Sequence, residues 1–268
     1  MSFSIAGKTA IVTGSASGIG LAVARQFAEN GANVMCADVD ETALARNFKG
    51  TSDNEDGNLR YFAGDLRQKL TIANLISATM DAFDGVDILI NASRRFMPTD
   101  PLDPEDDSLK QLLDANMHTA LHLSQAVAKR MMRQTKGSTA GPVGTIVNLS
   151  SIAARSTRPE MMGYSIAAAS VNQMTRSLAL ALAPHRIRVN AVALGSVMSA
   201  SLQATLKEHS DWRDDIECGT PLGRIGSPAE LTDVVQFLAS DASAFITGDV
   251  LTVDGGRSML DTVGVPAH

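Results

Sequence analysis

A glycine-rich segment near the start of the chain is the first feature whose residue types and spacing could do chemistry. An apolar run at positions 9–13 leads into Gly14-Ser15-Ala16-Ser17-Gly18-Ile19-Gly20, which opens a helix-period stretch. Glycines allow a tight turn and a close approach of the backbone, so the N-terminus of the helix can face a pyrophosphate. An ordinary strand-to-helix loop is the alternative. The residues expected to contact a dinucleotide here are Gly14, Ser17, Gly18, Ile19 and Gly20.

An acidic residue, Asp38, ends the next apolar run and supports the dinucleotide interpretation. A carboxylate at this place can accept hydrogen bonds from the adenosine ribose hydroxyls, and it would repel a 2′-phosphate. The loop position where a basic residue could hold that phosphate is occupied by Ser17. Charge and position therefore predict NAD(H) in preference to NADP(H). The alternative, that Asp38 only starts a turn into the next helix, does not explain the glycines.

The elements that must position these residues alternate between strand and helix patterns, and no linker interrupts them. The predicted strands are 9–13, 33–37, 59–63, 86–91, 144–149, 187–192 and 250–253. The predicted helices are 19–29, 41–48, 70–83, 108–133, 164–183 and 229–238. Near-continuous apolar strands indicate burial on both faces. We therefore expect an α/β fold, a single domain over residues 1–268, with a parallel sheet between layers of helices.

One long segment, 195–220, interrupts this alternation in the second half of the chain. It carries polar residues and has no strand pattern. In open α/β sheets, ligands bind outside the carboxyl ends of the strands, where such insertions cluster. We predict that residues 195–220 form a lid over the substrate, although no motif in them indicates which substrate.

Composition and charge exclude several classes of protein. The 268 residues include 23 Lys and Arg against 29 Asp and Glu, a net charge of −6, which argues against a nucleic-acid or anionic-membrane surface. No apolar run approaches the roughly 18–20 residues that span a bilayer, and the N-terminus lacks a signal-peptide pattern, so we expect a cytoplasmic protein. The two cysteines, Cys36 and Cys218, are too few for a disulfide scaffold and are expected to be free thiols.

Taken in order, the motifs resemble those of the short-chain dehydrogenase/reductase family over nearly the whole chain. The matching residues are Thr13 to Gly20, Asp38, Asp65-Leu66, Asn116, Ser151, Tyr164, Pro221 to Arg224 and Asp254 to Gly256. The resemblance implies a Rossmann-type, doubly wound parallel sheet of about seven strands, a nicotinamide cofactor, and hydride transfer between a secondary alcohol and a ketone. It also implies a homotetramer assembled through helices 108–133 and 164–183.

The resemblance further implies roles for individual residues. Tyr164 would be the general acid and base, Ser151, thirteen residues earlier, would hold the carbonyl oxygen, and Asn116 would position a water. Two hydroxyls suit this task because hydride delivery to a carbonyl builds negative charge on its oxygen. Further contacts to the cofactor are implied for Asp65, Leu66, Asn91, Ala92, Tyr164, Val197 and Ser199.

The chain departs from the family pattern at the residue four positions after Tyr164. The family places a lysine there, whose ammonium lowers the pKa of the tyrosine and holds the nicotinamide ribose, whereas this chain has Ala168. No lysine occurs between Lys136 and Lys207, so a shift of register does not supply one. An unassisted tyrosine has a pKa of about 10, so alcohol oxidation, which needs the base, should suffer more than ketone reduction.

A second departure follows the fourth predicted strand. The Asn-Asn-Ala-Gly of the family becomes Asn91-Ala92-Ser93-Arg94 here. We expect Arg94 to point to solvent. The alternatives are that it replaces part of the missing positive charge or that it obstructs the cofactor. Arginine is not equivalent to lysine, because its planar head is wider.

Two histidines one helical turn apart, His118 and His122, could suggest a metal site with Asp114. A polar or interface face of a helix explains them equally simply, and the glutamate of the zinc-peptidase motif is missing. We therefore expect no metal site.

Two functions of different classes follow from these motifs. The first is an NAD(H)-dependent oxidoreductase that acts on a small or medium alcohol or ketone with reduced efficiency. The second is a catalytically silent NAD(H)-binding relative that serves as a structural or sensing partner.

Overall fold

The computed structural model describes residues 3–48, 50, 57–134 and 141–260. Within them, all strands belong to one parallel sheet in the order β3-β2-β1-β4-β5-β6-β7. The strands are β1 (Thr9–Thr13), β2 (Asn33–Asp38), β3 (Leu59–Ala63), β4 (Ile88–Asn91), β5 (Gly144–Ser151), β6 (Ile187–Leu194) and β7 (Val250–Val253). The predicted seven-stranded doubly wound parallel sheet is therefore confirmed. The domain bounds at 1 and 268 lie outside the described residues and stay a prediction.

Helices cover both faces of this sheet. They are α1 (Gly18–Glu29), α2 (Glu41–Phe48), α3 (Lys69–Phe83), α4 (Ser108–Leu112), α5 (Thr119–Gln134), α6 (Met162–Leu182), α7 (Ala200–Glu208), α8 (Trp212–Cys218) and α9 (Pro228–Ala239). None of the helices in the described part of the chain combines the length and the apolar character that crossing a membrane requires.

Alternation along each strand divides the core into two layers. Val12 and Ile90 point into a cluster with Phe27 of α1 and Val235 of α9. Ile11, the neighbour of Val12, points into the opposite cluster, which contains residues of α3, α5 and the end of α6. Successive side chains of a strand point to opposite faces, so strands buried on both sides consist mainly of apolar residues. This is the physical reason why the apolar runs of the sequence located the strands.

The predicted single helix over residues 108–133 is interrupted in the structure. α4 and α5 are separated by a π-helical turn over Leu113–His118, in which the Thr119 hydroxyl donates to the Asp114 carbonyl at 2.9 Å. Wider turns of this kind often occur at functional sites. The turn matters here because it carries Asn116.

The predicted lid, residues 195–220, contains two short helices. Residues 200–218 form α7 and α8 and, as expected, no strand. The preceding backbone is attached to the body of the domain by a bridge between Val197 and Gly226, in which the Met198 amide donates to the Gly226 carbonyl at 2.8 Å. The function of this segment as a lid stays a prediction.

Candidate active site

A cavity of about 690 Å³ opens at the carboxyl ends of the central strands. Gly14 lines it after β1, Asp38 at the end of β2 and Arg94 after β4. The chain order of the sheet reverses between β1 and β4, and such a switch point is where open α/β sheets bind ligands. The cavity volume lies in the range of pockets that hold small molecules and cofactors.

The glycine-rich turn brings the backbone close to two neighbours at the cavity wall. Gly14 has a φ of +66°, and a Cβ on it would lie 2.8 Å from the Ala92 carbonyl oxygen. A Cβ on Gly20 would overlap the carbonyl oxygen of Gly14. The side chain of Ser17, the N-cap of α1, makes no capping hydrogen bond, so the first amides of α1 remain available to an anion.

Asp38 is held beside this turn by two backbone amides. Its Oδ2 accepts from the Ala16 amide at 3.0 Å, and its Oδ1 accepts from the Asp40 amide at 3.1 Å. Each carboxylate oxygen can accept a further hydrogen bond, so a ligand hydroxyl in the cavity would still find an acceptor. Asp38 therefore combines an oriented carboxylate with a place on the cavity wall.

Asp65 and Leu66 also line the cavity, and Asp65 is paired with Arg67. The Arg67 Nη2 lies 2.7 Å from the Asp65 Oδ2. The hydrogen bond from the Arg67 side chain lowers the pKa of Asp65 below its usual value. The charge of Arg67 is thus offset within the cavity.

Thr13, the last residue of β1, joins the ends of β1 and β4. Its Oγ1 accepts from the Ala92 amide at 3.0 Å and from the Ser93 amide at 3.1 Å. The sequence placed Thr13 in the glycine motif but gave it no role of its own. A hydroxyl at the last position of a strand, directly before a glycine turn, is the signal that could have suggested this link.

Asn91 is directed into the core, although it was expected to contact a cofactor. It is 6% exposed, and its Nδ2 donates to the Asn148 Oδ1 at 2.8 Å and to the Ser124 Oγ at 3.0 Å. Asn148 in turn donates to the Thr175 Oγ1 of α6 at 2.9 Å. Asn91 thus links β4 to β5 and, through Asn148, to α6. Of the two neighbouring residues that were expected to contact the cofactor, Asn91 and Ala92, only Ala92 lines the large cavity.

The segment Ser93–Phe96, called the Arg94 segment below, is fixed by Asn116. The Arg95 amide donates to the Asn116 Oδ1 at 2.7 Å, and the Asn116 Nδ2 donates to the Arg95 carbonyl at 2.9 Å. Both ends of the Asn116 amide are therefore engaged with one backbone unit. Its side chain positions the Arg94 segment in this structure, and the predicted role in positioning a water stays a prediction.

The Arg94 segment lies against Tyr164 of α6. The Arg94 guanidinium carbon is 5.7 Å from the centroid of the Tyr164 ring, and the Phe96 ring meets that ring edge-on at 5.4 Å. The side chain of Arg94 is exposed, as expected, but it also covers the tyrosine. Arg94 and Phe96 line the large cavity, and Tyr164 does not. The Arg94 segment therefore lies between the cavity and Tyr164.

Tyr164 lies near the start of α6, which packs against β5, the strand that Ser151 ends. Tyr164 is 5% exposed and packs with Ala153, two residues after Ser151. Ser151 ends β5, and its Oγ accepts from the Ala153 amide at 3.1 Å. One turn along α6, Ala168 is 7% exposed, and its carbonyl accepts from the Ser150 Oγ at 3.2 Å. A methyl group therefore occupies the buried position where the resemblance implied a lysine.

Val197 and Ser199 lie on different cavities. Val197 lines a separate cavity of about 100 Å³, together with Arg224 and Glu230. Ser199 lines the large cavity, where its Cβ lies 3.9 Å from the point a Cβ on Gly18 would occupy. Ser199 also caps α7, because its Oγ accepts from the Leu202 amide at 3.2 Å.

Other groups with chemical potential lie outside this site. The His118 Nδ1 is 2.8 Å from an Asp114 oxygen, and the His118 ring stacks on His122 with centroids 6.2 Å apart. No group of three His, Cys, Asp or Glu residues that could hold a metal ion occurs among the described residues. Both cysteines are free, and burial raises the pKa of the Cys36 thiol to about 12, so this thiol is unsuited to act as a nucleophile.

Comparison with known proteins identifies the class of this fold and site. The family model described as enoyl-(acyl carrier protein) reductase matches residues 14–258. L-rhamnose 1-dehydrogenase (NAD(P)(+)) of a Sphingomonas species is 32% identical over 93% of this chain and 96% of the relative. The chain therefore belongs to the short-chain dehydrogenase/reductase family, as the motifs predicted.

Solved structures agree with this assignment. A short-chain type dehydrogenase/reductase from Mycobacterium marinum has a TM-score of 0.82 at 30% identity, covering 95% of this chain and 97% of that one. A 7 alpha-hydroxysteroid dehydrogenase complexed with NADH and 7-oxo glycochenodeoxycholic acid has a TM-score of 0.84 at 27% identity, covering 95% of each chain. The proteins that this chain resembles over its length are oxidoreductases.

Proposed function

We propose that this protein is an NAD(H)-dependent oxidoreductase that interconverts a secondary alcohol and a ketone with reduced efficiency. The observation that carries the proposal is the placement of the glycine turn and Asp38 on one cavity, whose lining residues Arg94 and Phe96 lie against the Tyr164 ring. Ser151 ends the strand that packs against the helix of Tyr164. A nucleotide cradle and a pair of hydroxyls are the two parts that carbonyl reduction requires.

The residues present fit a dinucleotide. A Cβ on Gly14 or Gly20 would collide with neighbouring backbone, so only glycine permits the tight turn at these positions. The first amides of α1 are not capped by a side chain. Asp38 supplies an oriented acceptor for a ribose hydroxyl and a negative charge against a 2′-phosphate. Arg67 lines the same cavity, but Asp65 offsets its charge. Arg94 and Arg95 follow β4, which β1 separates from β2 and Asp38 in the sheet, so NAD(H) is favoured over NADP(H). A bound nicotinamide would supply or accept the hydride.

The two hydroxyls have complementary tasks in this proposal. The Ser151 Oγ already accepts a hydrogen bond from the Ala153 amide, so its own proton is free to be donated to the substrate oxygen. Tyr164 donates a proton to the same oxygen during reduction and accepts it during oxidation. Asn116 acts on Tyr164 through the Arg94 segment that it holds.

Ala168 is the reason for the reduced efficiency. No ammonium stands one helical turn from Tyr164 to stabilise its ionised form or to hold a ribose. Oxidation, which needs a base, is affected most, because neutral tyrosine can still act as a proton donor.

A catalytically silent NAD(H)-binding protein is the second candidate, and a specific observation favours it. Tyr164 is 5% exposed under Arg94 and Phe96 and does not line the cavity. If this cover persists when the cofactor is bound, a ketone has no path to the hydroxyl.

Binding and turnover of NADH test both candidates in one preparation. The purified protein is titrated with NADH by fluorescence and calorimetry, and a panel of ketones is then added, with Tyr164→Phe as the inactive control. Tight binding with turnover that Tyr164→Phe abolishes supports the oxidoreductase. Tight binding without turnover favours the silent protein, and failure to bind NADH contradicts both.

Two expectations about the wider molecule belong to this proposal. Residues 195–220 act as the substrate lid, and deletion of α8 should alter the KM for substrate more than the affinity for NADH. The protein assembles as a homotetramer, and a monomer mass by light scattering at micromolar concentration would contradict that expectation.

A further inference from the structure

Two arginines of the large cavity, Arg94 and Arg95, are not paired with a carboxylate of the described part of the chain. Arg94 and Arg95 both line the cavity and are exposed, and neither forms an ion pair with the residues that the structure describes. The third arginine of the lining, Arg67, is paired with Asp65. Asp38, the remaining carboxylate, is held by backbone amides at the end of β2.

The backbone that carries these arginines is fixed at both ends. Thr13 accepts hydrogen bonds from the Ala92 and Ser93 amides at 3.0 and 3.1 Å. Asn116 binds the Arg95 backbone through two hydrogen bonds of 2.7 and 2.9 Å. Because the main chain is already ordered, a ligand that binds the guanidinium groups has only side chains to immobilise.

Arg94 also has a defined place relative to the candidate catalytic tyrosine. Its guanidinium carbon lies 5.7 Å from the centroid of the Tyr164 ring. Guanidinium groups bind carboxylates and phosphates through two parallel hydrogen bonds. An oxyanion on Arg94 would therefore lie only a few bonds from a carbonyl group that reached the Tyr164 hydroxyl.

We propose that Arg94 and Arg95 form an anion-binding subsite for the substrate, so that the ketone or alcohol carries a carboxylate or phosphate group close to the reacting carbon. The inference rests on the proposed function for the identity of the reacting group. It also gives a role to the Arg94 side chain at a position where the family has glycine, which has no side chain to bind an anion.

Titration calorimetry on the NADH-saturated Tyr164→Phe protein, in which a bound ketone is not reduced during the titration, tests the subsite. Saturation with NADH fills the pyrophosphate site, so it separates a substrate anion from the phosphates of the cofactor. The probes are 4-oxopentanoate, its neutral counterpart 2-pentanone, and inorganic phosphate. The same titrations without NADH show whether anion binding depends on the cofactor.

The variants are Arg94→Gln, Arg95→Gln, Arg94→Lys and the control Arg25→Gln. Arg25 is exposed on α1 and does not line the cavity, so its variant changes the net charge equally elsewhere. We expect 4-oxopentanoate or phosphate to bind the NADH-saturated protein at least tenfold more tightly than 2-pentanone at low salt. Arg94→Gln should weaken the affinity for the anion by about tenfold, or about 1.4 kcal/mol, and Arg94→Lys should weaken it less. Arg25→Gln should leave the affinity for the anion unchanged.

Each outcome bears on the proposal separately from the proposed function. Preferred binding of 4-oxopentanoate that depends on Arg94 assigns a carboxylate, and preferred binding of phosphate assigns a phosphate ester; both support the subsite. Equal binding of 2-pentanone and 4-oxopentanoate, with no Arg94-dependent binding of phosphate, overturns the subsite even if NADH binds and ketones are reduced. Loss of NADH affinity in Arg94→Gln by the same factor also overturns it, because the arginine then holds the cofactor. Failure of NADH to bind contradicts the proposed function, while anion binding that depends on Arg94 in the protein without NADH would still support the subsite.

Discussion

Substitution of Ala168 by lysine restores the one positive charge that the proposed chemistry lacks. Ala168 lies one helical turn after Tyr164, and side chains four residues apart on a helix are neighbours. An opposite charge within about 4–6 Å shifts the pKa of an ionisable group by about 1–3 units in favour of its charged form. We therefore expect Ala168→Lys to raise the rate of alcohol oxidation near pH 7 by about ten- to a thousandfold.

The added lysine would start from a buried position, since Ala168 is 7% exposed. The buried position has a cost, since extra methylene groups in a packed site destabilise by about 1–3 kcal/mol.

The assay measures oxidation and reduction separately between pH 6 and 10, well below the melting temperature of each variant. Ala168→Met controls for added volume without charge. Ala169→Lys adds the same charge at an exposed neighbouring position that faces away from Tyr164. A folded Ala168→Lys protein that binds NADH and gains no activity in either direction, with any substrate of the panel, would refute the reasoning.

Three further predictions follow from the cavity and from a surface ion pair. Asp38→Asn should shift the ratio of the affinities for NADH and NADPH towards NADPH by about tenfold, because the substituted side chain no longer repels a 2′-phosphate. A titration in which the wild-type protein already prefers NADPH would contradict this prediction. Gly20→Ala should lower the melting temperature and abolish NADH binding because its Cβ meets the Gly14 carbonyl, and unchanged NADH affinity would be the contrary result. The Arg224 hydrogen bond holds the pKa of Glu230 at about 2, below its ordinary value of 4.5. The contribution of this carboxylate to stability is therefore complete above pH 4.5 and is lost as the pH falls towards 2. The difference in melting temperature between wild type and Glu230→Gln should shrink over that interval, and a constant difference would exclude the ion pair as its source.

Several features of this protein could be predicted from the sequence because their causes are local. Strands such as β1 and β6 are buried on both faces, so most of their residues are apolar, and that run is visible in the chain. The turn over Gly14 to Gly20 is recognisable because a positive φ and a close backbone contact require glycine at fixed spacings. Asp38 could be placed because the end of a strand fixes where its last side chain lies.

The sequence by itself determined the alternation of strands and helices, the glycine turn and the identity of the residue at position 168. Tertiary structure alone decided that Asn91 is bonded inside the core to Asn148, that Asn116 holds Arg95, and that Arg94 covers Tyr164. These contacts join residues that lie far apart in the chain. The packing of β4, β5 and α6 determines which of those residues come into contact. A side chain such as that of Arg94 has the same pattern in the sequence whether it meets solvent or a tyrosine, so only the folded arrangement distinguishes the two.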